Sequence, residues 1–248
     1  MNKADVSVRN AAQTDLDRVS ELEVAIFSAQ NIAPFSRGHF SAWLEVYPQG
    51  FFVAEQAGIV VGYTYTQLIS ADFACSGELT RWTSFDVMTD CGYTRASHCP
   101  GGNYHLGVNI GSVVPGAGKI LVESLVQLAA SLGKPLLGMS RISGLRNYVQ
   151  KLVQCGVVGE VTSRADKDAI ALSYTMQCVN MVGGRMKLLE TSPGRDCSNL
   201  PDLPVTREFD PVLCKYLRNP RFAVWAILPE FIEDPDSLNY AVLTGPPD

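Results

Sequence analysis

The stretch Asn103–Gly133, NYHLGVNIGSVVPGAGKILVESLVQLAASLG, constrains the fold more than any other part of the chain. Tyr104 to Val114 reads as extended, because Val108, Ile110, Val113 and Val114 are β-branched and the run stops at Pro115. Pro-Gly-Ala-Gly-Lys, residues 115–119, then leads into a helical period. Leu121, Leu125, Leu128 and Leu132 recur at i, i+4, i+7 and i+11, which predicts one apolar face. Gly133 is placed to end that helix and Pro135 to prevent its resumption.

A strand, a glycine turn and a helix in that order can hold an anion. Glycines let a ligand approach the backbone, the first helical N–H groups lack intrahelical partners, and the helix dipole is positive there. Lys119 adds a mobile cation. The plainer alternative is a tight turn that merely needs glycine. Two phosphate-loop patterns are excluded: Ile120 stands where a Walker A loop needs Ser or Thr, and a dinucleotide fingerprint needs a third glycine near Leu121.

At 248 residues, 46% hydrophobic and 18% charged, the chain can bury a substantial core as an ordinary globule. A net charge of −5 gives no basic footprint for nucleic acid. No run approaches about 18 uninterrupted apolar residues, and MNKADVSVRN has no apolar signal core, so no membrane partner and a cytoplasmic location are expected. Seven cysteines are scattered without a Cys-x-x-Cys pair. Cys91, His98 and Cys99 invite a metal reading, but free thiols and no metal are the expectation.

In order, Val6–Arg9 predicts a short strand, and Thr14-Asp15 an N-cap for a helix with Leu16, Val19, Leu22 and Ile26 on one face. After a break at Asn31–Pro34, Phe35–Leu44 predicts a second helix. Phe51–Glu55 and Ile59–Leu68 predict a hairpin across Gln56-Ala57-Gly58. Ile69–Gly102 is polar and long for a loop, which marks it as an insertion or lid. Leu136–Ile142 predicts a strand parallel to the one before the glycine turn. Helices follow at Leu145–Cys155 and Ala165–Met181, a loop at Ser192–Pro204, and a helix capped by Asp210 with Pro211 at its first position. Phe222–Leu228 and Tyr240–Thr244 close the chain as strands.

This order of elements resembles the GNAT acyltransferase superfamily. Local phrases are similar to a subgroup that includes GNAT domains attached to nitrilase-like proteins and others that load polyketide synthases. They are Trp82, Thr89-x-x-Gly92, His98-Cys-Pro-Gly-Gly, Leu106-Gly-Val-Asn-Ile, Ser140-Arg-Ile-Ser-Gly and Asp210-Pro-Val-Leu. Ile227-Leu-Pro-Glu-Phe, Asp234, Ser237-Leu-Asn-Tyr and Ala241-Val-Leu complete the set. The resemblance implies an α/β (α+β) fold with a mixed central sheet, helices on its faces and splayed central strands. It also implies a single domain over 1–248, with 69–102 as insertion and 160–248 as a C-terminal extension carrying the last two strands. The implied activity is transfer of an acetyl or other short acyl group from CoA to an amine or a carrier-protein thiol. Malonyl-thioester decarboxylation to supply a polyketide starter, or binding without catalysis, are the alternatives.

Acetyl-CoA or malonyl-CoA is then the acyl donor, held at Val113, Val114, Gly116, Ala117, Gly118 and Lys119, with an acyl-carrier protein as a candidate partner. The turn lacks the first part of the family's loop. Leu152 occupies the position of the tyrosine acid used by many amine acetyltransferases, and Tyr148 lies one turn earlier. The candidate catalytic residues are His98 and His105 as proton carrier or hydrogen-bond donor, with Ser112 and Thr64 lining the thioester. Each has a plainer reading as a packing or hydrogen-bonding residue. Thr64 and Thr66 alternate with Tyr63 and Tyr65, and one pair must turn toward a core.

Overall fold

The computed structural model describes residues 6–28, 33–75, 77–159, 161, 163–194 and 210–247. Within the expected break at 31–34 and loop at 192–204, residues 31–32 and 195–204 lie outside the described ones, as do residues 1–5 of the N-terminal segment. The chain divides into two compact units, Met1–Ala71 with Phe85–Leu137, and Asp72–Ser84 with Gly138–Asp248.

The first unit contains β1 (Val6–Asn10), α1 (Leu16–Phe27), α2 (Arg37–Val46), β2 (Phe51–Gln56) and β3 (Ile59–Ile69). It continues with α3 (Phe85–Thr89), β4 (Tyr104–Ser112), α4 (Ala117–Ser131) and the first residues of β5 (Leu136–Arg141). β1 to β4 pair antiparallel in sequence order. Ala57 and Gly58, at φ 52° and 77°, make the tight β2–β3 hairpin; two successive left-handed residues suit a two-residue turn whose twist matches its strands. β5 pairs parallel with β4 at only two positions, His105 with Leu136 and Leu106 with Leu137. The sheet is therefore mixed, and the fold class is α/β.

Tyr63 and Tyr65 point into a core with Phe40 and Trp43 of α2, Leu16, Val19 and Leu22 of α1, and Val108 of β4. Trp43 lies 4.5 Å from Tyr65, ring on ring. The opposite face of the strands carries Ala54 and Val61 against Ala117 and Leu121 of α4. Thr64 and Thr66 are fully buried as well, and their hydroxyls donate to Asn109 O and Leu106 O, both at 2.9 Å.

Two details of the sequence reading shift. The apolar face of α4 is Ala117, Leu121, Leu125 and Ala129, while Leu132 is 48% exposed. Eleven residues return a helix to within about 20° of the same direction, so Leu132 is exposed not by its angle but because α4 ends at Ser131 and Leu132 is only its C-cap. Asp15 caps no helix from its side chain. It ends a 3₁₀ turn at Gln13–Asp15 ahead of α1, accepts from that turn's N-cap, Ala12 N, at 2.8 Å and pairs with Arg9 at 2.7 Å.

The segment 69–102 is well tied to its surroundings. Ile69 ends β3; Trp43 Nε1 donates to Gly92 O at 2.7 Å, and Gln67 Nε2 to Met88 O at 2.7 Å. Residues 72–84 belong to the second unit, where Trp82 is buried beside Phe73.

The second unit holds α5 (Leu145–Gln154), α6 (Arg164–Val182), α7 (Pro211–Leu217), β6 (Ala223–Leu228) and β7 (Ala241–Gly245). β5 and β6 flank β7 antiparallel. Ile142, Leu145, Tyr148, Leu152, Tyr174 and Leu213 lie in its core. Asp210 caps α7 as its Asp-Pro start predicts, accepting from Leu213 N at 2.9 Å, and it also accepts from Gly144 N at 3.2 Å at the start of α5. No helix among the described residues is long and apolar enough to cross a membrane.

Candidate functional site

All the candidate site residues fall in the first unit, with Thr64 on β3, His98 in the loop before β4, and the others along β4 and into α4. β4 ends at Ser112, and Val113 N still donates to Val61 O of β3 at 3.0 Å. The chain then turns through Gly116 at φ 93°, a left-handed conformation that a side chain would strain by about 1–2 kcal/mol. Gly116 O accepts from Lys119 N and Ile120 N, and Val114 O from Ala117 N. The N–H groups of Gly116 and Gly118 find no acceptor among the described residues. Two amide donors at a helix start lie beside an exposed Lys119 side chain that reaches Glu123 at 3.8 Å, a combination whose chemistry suits an anion. Val113 is half exposed beside it, Ser112 is part-buried, and Ala117 and Gly118 are buried against the sheet.

Four residues before Ser112, β4 departs from regular pairing. Tyr65 faces Asn109 and Thr66 faces Gly107, so Val108 is an extra residue outside the ladder. Such a bulge re-aims side chains and interrupts the ladder, here next to the buried Thr64 and Thr66 hydroxyls. Sequence reasoning missed the bulge, and no local signal carries it. It also missed Glu23. This α1 residue is 3% exposed, with Oε1 accepting from Phe35 N at 2.9 Å and Oε2 from Asn109 Nδ2 at 3.1 Å. Burial raises its carboxyl to about 7, against the lowering effect of those two hydrogen bonds. An acidic residue between Leu22 and Ile26, on a helix whose face was otherwise read as apolar, was the available hint.

The two histidines sit together at the far end of β4. His98 Nδ1 accepts from Leu68 N at 3.2 Å, and its ring stacks 5.0 Å from Tyr47. His105 lies 6.1 Å from the same Tyr47 ring, fully buried, with neither nitrogen hydrogen-bonded among the described residues. Burial, with Lys134 and His98 adding to it, pushes His105 down to about 4 and also lowers His98. The Tyr47 hydroxyl is likewise buried without a partner among the described residues. At about 3.4 Å per residue, His105 stands about 24 Å along the strand from Ser112. The structure thus brings His98 and His105 together, places Thr64 opposite Ile110, nearer Ser112, and leaves Ser112 next to the glycine turn.

In the second unit Leu152 is buried, and Tyr148 is buried with its hydroxyl accepting from Gln177 Nε2 at 2.7 Å. No group of three His, Cys, Asp or Glu side chains able to hold a metal occurs among the described residues.

No family model matches the chain. A Bacillus subtilis protein named "Probable hydrolase YhcX" is 27% identical over 175 residues, 68% of this chain and 32% of that one. The chain therefore spans about a third of the length of this curated relative. Among solved structures, the GphF GNAT-like decarboxylase in complex with isobutyryl-CoA superposes with a TM-score of 0.63 at 19% identity, over 97% of this chain and 98% of that one. The loading GNATL domain of CurA from Lyngbya majuscula does so with a TM-score of 0.59 at 15% identity, over 98% of both. Likeness of backbone at such low identity speaks for architecture, and the architecture of this chain is the GNAT-type fold.

Proposed function

We propose that this protein binds an acyl-CoA thioester along β4 of its first unit and acts on the acyl group. The observation that carries the reading is the stretch of β4 from the bulge at Val108 to the strand's end at Ser112, four residues before the turn at Gly116. The four residues from Val108 to Ser112 cover about 14 Å of extended strand, a length suited to a pantetheine arm. The pyrophosphate would rest on the free amides of Gly116 and Gly118 and on Lys119. The thioester carbonyl would lie against the bulge at Val108, where a backbone N–H turned out of the ladder would hold an oxyanion. The isobutyryl-CoA in the GphF structure supports the same ligand class.

In acyl transfer, an amine or carrier-protein thiol attacks the carbonyl carbon, β4 amides hold the oxyanion, and the CoA thiolate leaves and takes a proton. A second reading, decarboxylation, has its own support. In it the bond between the malonyl α-carbon and its carboxylate breaks, carbon dioxide leaves, and the electron pair passes to the thioester oxygen as an enolate. In the sequence, Leu152 stands where many amine acetyltransferases of the resembled family carry the tyrosine acid that protonates a departing thiolate. His105, neutral and with neither ring nitrogen hydrogen-bonded among the described residues, stands three residues beyond the bulge, about 10 Å along the strand, on the side where the acyl group would extend.

The test is incubation with acetyl-CoA and malonyl-CoA, with and without a carrier protein, followed by mass spectrometry of small molecules and carrier. Acylated carrier or amine indicates transfer; carbon dioxide loss from malonyl-CoA indicates decarboxylation. Lys119→Glu should weaken acyl-CoA affinity about tenfold or more by placing an anion at the phosphates. Equal affinity in both proteins overturns the binding site, and no binding of either thioester overturns the reading.

A further inference from the structure

Glu23 is an expensive residue to keep where it stands. A carboxylate buried to 3% exposure costs free energy unless it is fully hydrogen-bonded, and an apolar side chain there would join the core formed by Leu16, Val19 and Leu22. Its two oxygens are both used, one by the backbone ahead of α2 and one by Asn109 on the bulge. Asn109 is in turn fixed at both ends of its amide. Oδ1 accepts from Ile110 N at 2.8 Å; since an N–H can only donate, this settles which end is oxygen. Nδ2 is thereby aimed at Glu23 and, at 3.2 Å, at the Tyr63 hydroxyl. The Asn109 carbonyl is held from the opposite face by Thr64. Every polar group of the residue after Val108 that these bonds reach is therefore pinned, and the anchor of the chain of bonds is Glu23.

We propose that Glu23 is a positioning residue that, through Asn109, sets the conformation of the β4 bulge at which the thioester carbonyl is held. The inference rests on the acyl-CoA reading above. It assigns Glu23 no contact with substrate: the carboxylate orients Asn109, the Asn109 side chain takes the Ile110 N–H, and the bulge backbone is left at a fixed angle to the bound carbonyl. Small misplacement of such donors is costly to an oxyanion, whereas the phosphate corner at Gly116–Lys119 stands four residues or more away and is untouched.

Acetyl-CoA labelled with carbon-13 at the carbonyl tests this by NMR, with the affinity for unacylated CoA measured by calorimetry on the same proteins. The parent should move the carbonyl resonance downfield on binding, as a hydrogen-bonded thioester does. Glu23→Ala should bind CoA with full stoichiometry and an affinity within about twofold of the parent, yet lose most of that displacement. Glu23→Gln, which keeps an acceptor for Asn109, should restore it. The same displacement in parent and Glu23→Ala overturns the inference while leaving the acyl-CoA reading intact. So does a Glu23→Ala protein whose CoA affinity or stoichiometry falls in step, because the residue is then a general support of the fold. A Glu23→Gln protein as defective as Glu23→Ala overturns it too, since the charge and not the orientation of Asn109 would matter. A parent that binds neither CoA nor acetyl-CoA overturns the underlying reading, and the inference with it.

Discussion

His105 is buried with no partner for either ring nitrogen among the described residues, and its consequence is a pH dependence with a definite sign. Its folded-state value of about 4 lies below the ordinary 6.5, so between these pH values the unfolded chain binds a proton that the folded one refuses. Its contribution to stability is intact above about pH 6.5 and is lost as pH falls toward 4. The parent should lose about 2 kcal/mol between pH 7 and pH 4.5 that His105→Phe does not lose, measured by urea unfolding. Parallel profiles for the two proteins would show that His105 is protonated as easily folded as unfolded. The same neutrality means that His105, if it acts on a thioester, acts as a neutral donor or acceptor at pH 7. The sequence offered His105 as a candidate only because a histidine stood on the central strand. It packs beside Tyr47, 58 positions earlier, and the Lys134 charge adds to the lowering of its pKa, neither of which its neighbours in sequence announce.

At the scale of elements, the signals that held were those confined to a few adjacent residues. Asp210-Pro211 started α7, Ala57-Gly58 closed the hairpin, Gly133 ended α4 at φ 63°, and Gly116 opened it. Asp210 does more than its local pattern implies. Its carboxylate accepts from Leu213 N and from Gly144 N, so it ties the start of α7 to that of α5. Burial nonetheless lifts it to about 6. Asp210→Ala leaves two buried N–H groups unpaired and should cost about 2–4 kcal/mol in urea unfolding, while Asp210→Asn, which keeps one acceptor, should cost roughly half. Equal losses would mean that the charge dominates over the hydrogen bonds. Where the apolar face of α4 was misread, the cause was a leucine at the helix end counted as part of a face that only the middle turns present to the sheet.

Over the whole molecule, an acyl-CoA that binds the folded chain alone should stabilise it by mass action. At one hundred times its dissociation constant the gain is about 2.7 kcal/mol, or a rise in Tm of about 5–10 °C for a chain of this size. Acetyl-CoA and malonyl-CoA should both produce it in a thermal scan, and Lys119→Glu should blunt it at the same ligand concentration; a Tm indifferent to both thioesters would contradict binding. By itself the sequence determined the order of strands and helices apart from α3, the glycine turn between β4 and α4, the Asp210 cap, and a resemblance whose fold the structure carries. These are encoded within single turns or by periodicity, where each residue acts on neighbours it cannot avoid. The tertiary structure alone decided that Val108 bulges, that Tyr63 and Tyr65 face the helical core while the Thr64 and Thr66 hydroxyls hold β4 carbonyls, and that Glu23 reaches Asn109 across 86 positions. Such features depend on the register between distant strands, and a register is fixed by the packing of a whole face, since a slip of one residue would turn every side chain of a strand to its other side.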